Sequence, residues 1–319
     1  MVRRKNARLV NGVLLLNKDQ GMTSNRALQR VRGIYHARKA GHTGSLDPLA
    51  TGLLPVCFGE ATKYSRYLLQ ADKSYRAQIV LGETTDTADA EGQIQQVRDA
   101  AHIDLDRVTE VLGRFRGAIE QVPPMFSALK RDGKPLYKLA RQGIVLEREA
   151  RDVTIHSLEL VGFEVGSRAL LDIDVTCSKG TYIRSLALDI GDALGVGGHI
   201  CQLHRTQVDK FSIEEAHSLA ELQSIRDQAE EGDWQALEPY LLPIECLLDH
   251  LPRLVLNSET QEHILRGREV LIGDVLDDAD WPSGLVRLIG STGFIGVGEL
   301  SESGTLRAKR MLTEEQHKI

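Results

Sequence analysis

The sequence predicts an α+β protein in two parts, and three observations carry that expectation. Residues 73–81 alternate, with Tyr75, Ala77, Ile79 and Leu81 on one face of a half-buried strand. Between such strands lie stripes at the helical period, for example Ala27, Leu28, Val31 and Ile34. From Pro252 onward the texture changes to short strands separated by glycine turns, a β-barrel-like module of roughly 65 residues at the low end of domain size.

In order, 10–18 reads as a strand, with Gly21 at the following turn and Ser24 as N-cap of the first helix. Residues 53–58 form a short apolar run, a buried strand, and 59–63 open a helix holding Tyr64, Tyr67 and Leu68. Residues 85–92 are an acidic loop. It looks like a calcium loop, but glycine is seventh counting from Asp86 and no glutamate stands twelfth, so metal is rejected and a surface hairpin is expected. Residues 103–115 carry the stripe Leu105, Val108, Val111, Leu112 and Phe115, with Asp104 in the first turn. Residues 121–143 combine Pro123, Pro124, apolar residues and Lys134, Lys138 and Arg141, which reads as an arm that orders on a partner or as a routine loop and surface helix. Paired strands at 151–165 and 168–178, the second with Leu170, Ile173 and Val175 inward, turn at Gly166. Gly180 breaks the second strand, and Thr181 can cap a helix through Leu194. Residues 213–250 read as acidic helices and a linker. The tail places strands at 253–256, 269–272, 285–289, 294–300 and 305–311, with a helix at 258–265.

Composition bounds function loosely. Cys57, Cys177, Cys201 and Cys246 form no C-x-x-C pair, so neither a disulfide framework nor a zinc site is expected. The apolar run from Val13 to Leu16 is too short for a signal-peptide core, and no stretch approaches the ~20 apolar residues of a membrane span. A cytoplasmic location with reduced thiols is the expectation. Net charge is −6, yet residues 1–67 hold twelve Lys and Arg (Arg3, Arg4, Lys5, Arg8, Lys18, Arg26, Arg30, Arg32, Arg38, Lys39, Lys63 and Arg66) against Asp19, Asp47 and Glu60. Residues 130–151 add seven basic side chains, while 214–250 carry ten acids and Arg226. A localised basic surface suits a phosphate backbone whatever the total; each run alone also fits a solvated helix face.

The segment 41–55 is the most distinctive. Asp47 is its single carboxylate, set among Gly41, Gly44 and Gly52, and Pro48 pushes it out of the α region. Locally, an Asp-Pro turn accounts for the pattern. The full string from Gly41 to Pro55, GHTGSLDPLATGLLP, closely resembles the catalytic motif of the TruB family, the bacterial tRNA pseudouridine(55) synthases. The resemblance recurs at Lys73-Ser74-Tyr75, at the string from Cys177 to Arg184 and at Leu203-His204-Arg205-Thr206, and more weakly in the tail.

That resemblance implies a mixed, largely antiparallel sheet flanked by helices and loops at 1–250, an RNA-clamping insertion at about 121–150, and a PUA-like β-barrel at 251–319. It implies isomerisation of uridine 55 in the tRNA T-loop to pseudouridine, by base flipping and covalent catalysis, in a monomer without cofactor or metal. Asp47 maps to the nucleophile and Tyr75 to the aromatic group that stacks on the base and is a candidate to abstract its proton. Arg184 maps to the partner of the aspartate, His42 to the residue that holds the T-loop open, Tyr182 to a nucleotide contact and Leu203 to an apolar wall. Asp89 maps to the rim of the cleft. Arg184 in the first turn of a helix is a poor site for a cation on dipole grounds, which itself suggests function. An Arg184–Asp47 pair would lower the carboxyl pKa and keep it charged. His204 stands where the family often has arginine, so a phosphate contact there would depend on pH. A non-catalytic RNA-binding or RNA-folding module uses the same basic face, and a folding role can coexist with catalysis. A glycosidase would require a second acid about 5–9.5 Å from the first, for which Asp89 is the obvious candidate.

Overall fold

A computed structural model of the chain describes residues 7–131, 133–271 and 283–313. Arg3, Arg4 and Lys5 of the basic front, and Ile272 at the end of an expected strand, lie outside the described residues.

One ten-stranded sheet organises the first 218 residues. Its main path runs His217–Ser218, Gly12–Lys18, Thr51–Phe58, Gly198–Val208, Lys73–Leu81, Ala169–Cys177, Arg151–Glu164 and Gly117–Gln121, with Ala40–His42 and Phe211–Ser212 as short additions. Two junctions are parallel, Gly12–Lys18 with His217–Ser218 and Thr51–Phe58 with Gly198–Val208; the rest are antiparallel. The sheet is therefore mixed and largely antiparallel.

The helices Ser24–Ile34, Leu105–Arg114 and Ile183–Ala193 set their apolar stripes into a core with Leu14, Leu16, Val56, Ile79, Leu171 and Ile173. On the other face Val13, Leu15, Leu53 and Cys57 join Tyr64, Leu68, Leu248 and Val297 in a second cluster. Burial on both faces explains why 13–16 and 53–58 read as continuous apolar runs rather than alternating ones.

Several local expectations change. Thr23, not Ser24, caps the first helix, accepting from the Arg26 amide, because the Ser24 hydroxyl is engaged by Leu46. Asp104 is itself the cap of its helix rather than a first-turn residue. Thr181 caps nothing: its hydroxyl donates to the Ser178 carbonyl, and the helix starts at Ile183. In Ala169–Cys177 the buried set is Ala169, Leu171, Ile173, Val175 and Cys177, so Leu170 lies on the other face. The stretch 59–70 is a 3-10 turn, Gly59–Lys63, followed by a short helix, Arg66–Gln70.

The tail forms a separate five-stranded sheet in the order Arg253–Val255, Gly284–Gly290, Gly293–Leu300, Thr305–Met311 and Val270–Leu271, with the helix Ser258–Leu265 packed on it around Leu254, Ile264, Leu288 and Leu306. The 3-10 turn and the residue after it hold it: the Tyr64 hydroxyl donates to the Arg310 carbonyl at 2.8 Å and Lys63 to the Met311 carbonyl at 3.3 Å. Arg287 reaches Asp249 at 2.8 Å.

Gly52 opens the strand after the Asp47 loop with φ of +102°, and a Cβ there would run into the Arg205 main chain of the parallel neighbour. Gly52→Ala should therefore lower unfolding free energy by about 2–4 kcal/mol, read by denaturant melting.

Candidate active site

The Asp47 loop is held by its backbone. The Ser24 hydroxyl accepts from the Leu46 amide at 2.7 Å and donates to the Leu46 carbonyl at 3.0 Å, both buried. The Thr43 amide reaches the Pro55 carbonyl, and Gly21 donates to Pro48. The Ala50 amide donates to the Asp47 carbonyl at 3.1 Å, closing a turn with proline at its second position. The turn expected on local grounds is thus present, but it is a main-chain turn that leaves the carboxylate to other partners.

That carboxylate meets Arg184. Asp47 Oδ2 lies 2.9 Å from Arg184 Nε, and the guanidinium is 5% exposed. The same group donates through Nη1 to the Thr87 carbonyl at 3.1 Å and through Nη2 to the Phe126 carbonyl at 2.7 Å, with Asp89 Oδ2 3.5 Å from Nη1. Helix Ile183–Ala193 presents it, and Gln121 fixes that helix start by accepting from the Tyr182 amide at 3.0 Å and donating to the Tyr182 carbonyl at 3.2 Å.

Above the pair opens a cleft of about 290 Å³ lined by Ser45, Leu46, Asp47, Tyr75, Ser127, Ala128, Thr181, Tyr182, Ile183, Arg184 and Leu203. This is at the lower end of ligand pockets, ~300–1,000 Å³. Asp47, Tyr75, Tyr182, Arg184 and Leu203 thus converge. Asp89 does not line the cleft. It sits behind Arg184, buried, accepting from the Thr87 hydroxyl and the Glu91 amide, so it is a partner of the arginine and not a second open acid. His42 lies on the strand Ala40–His42, opposite Val56, with a buried Nδ1 that has no hydrogen-bond partner among the described residues.

Electrostatics correct one expectation. The walls of the cleft strip water from Asp47 and raise its carboxyl above the usual value; Arg184 and Lys18 pull it down and Asp89 pushes it up, and the net direction is upward. Although 42% of its side-chain surface is open to the cleft, that surface faces a concavity rather than bulk solvent. Arg184 limits the rise instead of producing a net fall. Burial raises the Tyr75 phenol, offset in part by Arg205, and lowers the His42 imidazole, so His42 is neutral at pH 7. His204 is likewise lowered by burial and shares a 2.8 Å hydrogen bond with Thr51, which removes it as a phosphate-binding cation at neutral pH.

Two groups escaped the sequence reading as parts of the site. Lys18 was counted with the basic surface but is 0% exposed, its Nζ donating to the carbonyls of Asp19 and Met22. Arg205 is buried beneath the loop. A lysine ending an apolar strand was the signal available for Lys18, and the string Leu203-His204-Arg205-Thr206 that for Arg205.

The comparisons agree with one another. Residues 32–183 match the family model described as TruB family pseudouridylate synthase (N terminal domain), 184–249 the tRNA pseudouridylate synthase B C-terminal domain, and 252–312 pseudouridine synthase II TruB, C-terminal. The tRNA pseudouridine synthase B of Aromatoleum aromaticum is 48% identical over 310 residues, 97% of this chain and 95% of that protein. That of Pseudomonas fluorescens is 49% identical over 310 residues, 97% of each. Among solved structures, a chain of the archaeal box H/ACA sRNP Nop10–Cbf5 complex aligns with TM-score 0.71 at 23% identity, over 97% of this chain and 88% of that one. A chain of an H/ACA RNP bound to a substrate RNA containing 2′-deoxyuridine aligns at 0.72 and 22%, over 99% and 95%. At those identities the likeness establishes the fold.

Burial lowers the Lys18 ammonium to about 8. Between about pH 8 and 10.5 the unfolded chain then binds the proton that the folded chain has released, so this residue's contribution to unfolding free energy rises with pH across that window. Lys18→Met should be most favoured relative to the parent near pH 7, and the difference should shrink by roughly 3 kcal/mol towards pH 10.5 in paired denaturant titrations.

Proposed function

The chain belongs to the TruB family and isomerises uridine in tRNA to pseudouridine; on that premise we propose that Asp47 is the nucleophile and that the target is uridine 55 of the T-loop. The observation that carries the proposal is the 2.9 Å Asp47–Arg184 pair on the floor of a cleft walled by Tyr75, Tyr182, Leu203 and Leu46.

The reaction breaks the N1–C1′ bond and joins C5 to C1′; the proton leaving C5 is matched by one gained at N1, so no redox partner is required. The uridine must first leave its stack. Tyr75 stacks on the everted base with Leu203 and Leu46 at its edges, and Tyr182 contacts the nucleotide. His42, whose imidazole is lowered by burial, occupies the space the base vacates. Asp47 attacks C1′ of the ribose or C6 of the base, and either route needs its ionised form held by Arg184. Once the base has turned, Tyr75 takes the C5 proton, having first given up its own phenolic proton.

We assign residues 1–250 to the catalytic domain, with 121–150 as the insertion that clamps the T-arm, and 251–319 to a PUA-like domain. We propose that the chain acts as a monomer. A tRNA substrate supports a cytoplasmic location, and no helix among the described residues is long and apolar enough to cross a membrane.

Incubation with an unmodified tRNA transcript and mapping of pseudouridine tests the reading; modification elsewhere than position 55 would refute the assigned site. Asp47→Asn should abolish turnover while tRNA affinity stays within about threefold, less than ~1 kcal/mol. Arg184→Ala should slow the reaction by ~10² or more, because it leaves two carboxylates beside an emptied site.

A further inference from the structure

Arg205 is a buried cation that the proposed chemistry does not use. It is 1% exposed, and among the described residues its hydrogen bonds run to carbonyls rather than to a carboxylate. Burying a guanidinium without a counter-ion costs several kcal/mol, and an apolar side chain would fill the space at less cost. Its contacts are specific. Nε donates to the Leu53 carbonyl at 2.7 Å and Nη2 to the Gly44 carbonyl at 3.2 Å, one on each side of Asp47 in the loop. Its main chain stands opposite Tyr75 on one neighbouring strand and Gly52 on the other. The guanidinium faces the Tyr75 phenol and offsets part of the burial that pushes it up.

We propose that Arg205 is a positioning residue for the isomerisation, tying both stems of the Asp47 loop to the Tyr75 phenol and so fixing the separation of nucleophile and aromatic group across the bound uridine. The inference rests on the roles given above to Asp47 and Tyr75. A lysine could supply the charge beside the phenol but not the fork that reaches two carbonyls at once. Tyr75 is faced by Arg205, Cys177 and Asp47, and Arg205 by Lys18, Lys73 and His42. Arg205 is the facing group that most offsets the upward push of burial on the phenol, so its removal moves that group further up.

The test compares the parent with Arg205→Met, Arg205→Lys and Asp47→Asn for single-turnover rate on a tRNA transcript from pH 6 to about 10, tRNA affinity and thermal melting. Arg205→Met should be ~10²-fold slower with tRNA affinity within about threefold, and its alkaline rate profile should move to higher pH. Arg205→Lys should recover about tenfold of that loss by restoring the charge. A folded Arg205→Met at the parent rate overturns the inference, and so does a rate loss matched by an equal loss of affinity with an unshifted profile. If Arg205→Met fails to fold, Arg205→Lys decides: a slowed rate at native affinity supports the proposal and a native rate overturns it. Turnover by Asp47→Asn would instead refute the underlying reading, whereas an inactive Asp47→Asn beside a fully active Arg205→Met refutes this inference alone.

Discussion

The site depends on one guanidinium. Arg184 is buried, cannot shed its proton, and satisfies its donors on three separate segments: the Asp47 carboxylate, the Thr87 carbonyl with Asp89 behind it, and the Phe126 carbonyl. A charge so placed in a first helical turn is unfavourable by the helix dipole, and it is tolerated because acceptors surround it. The acidic loop at residues 85–92, the Asp47 loop and the start of the 121–150 segment therefore share one fixed point. None of these segments is a regular element at that point, so the arginine does what a strand ladder does elsewhere in the sheet.

How much was legible in the sequence follows from the same physics. Elements with a strong period were readable: Lys73–Leu81, Ser258–Leu265 and Thr305–Met311 have the expected bounds, because side-chain alternation or a helical stripe is written directly into the chain. Caps were not, because Ser24 and Thr181 each had two possible hydrogen-bond partners and only the tertiary structure chooses between them. The convergence of Asp47, Tyr75, Tyr182, Arg184 and Leu203 was legible through motif resemblance. It was not legible from local pattern, since these residues are brought together by strand order. The place of Asp89 behind Arg184, rather than at an open rim, depends on the bridge from Asp89 to Ile200, a long-range pairing that no window of sequence contains.

Counting charges misled for a related reason. Lys18 and Arg205 are basic in the sequence, yet both are buried, so neither contributes an exposed cation for a phosphate. Arg26, Arg30, Arg38 and Lys39 remain exposed beside the loop that carries Asp47. The acidic segment lies partly against the basic front, with Glu238 3.4 Å from Arg8, and the helices Ser24–Ile34 and Leu219–Gln228 pack together. A net charge of −6 thus coexists with these exposed cations even though part of the acidic segment packs against the basic front, and association with a phosphate backbone responds to the local charge rather than the total.

The upward direction of the Asp47 pKa then acquires a functional sense. A carboxylate stripped of water is a better nucleophile when ionised, but it is ionised less of the time, and the balance is set by how closely Arg184 holds it. Seating a nucleoside over the cleft removes the 42% of Asp47 side-chain surface still open and strengthens both tendencies together. The Coulomb attraction of the guanidinium grows as the local dielectric falls, so the same burial that would neutralise an isolated acid tightens this pair. Because Arg184 is itself held by the Phe126 carbonyl at the root of the arm, the contact that limits the rise in the Asp47 pKa is physically continuous with the segment proposed to close on the RNA.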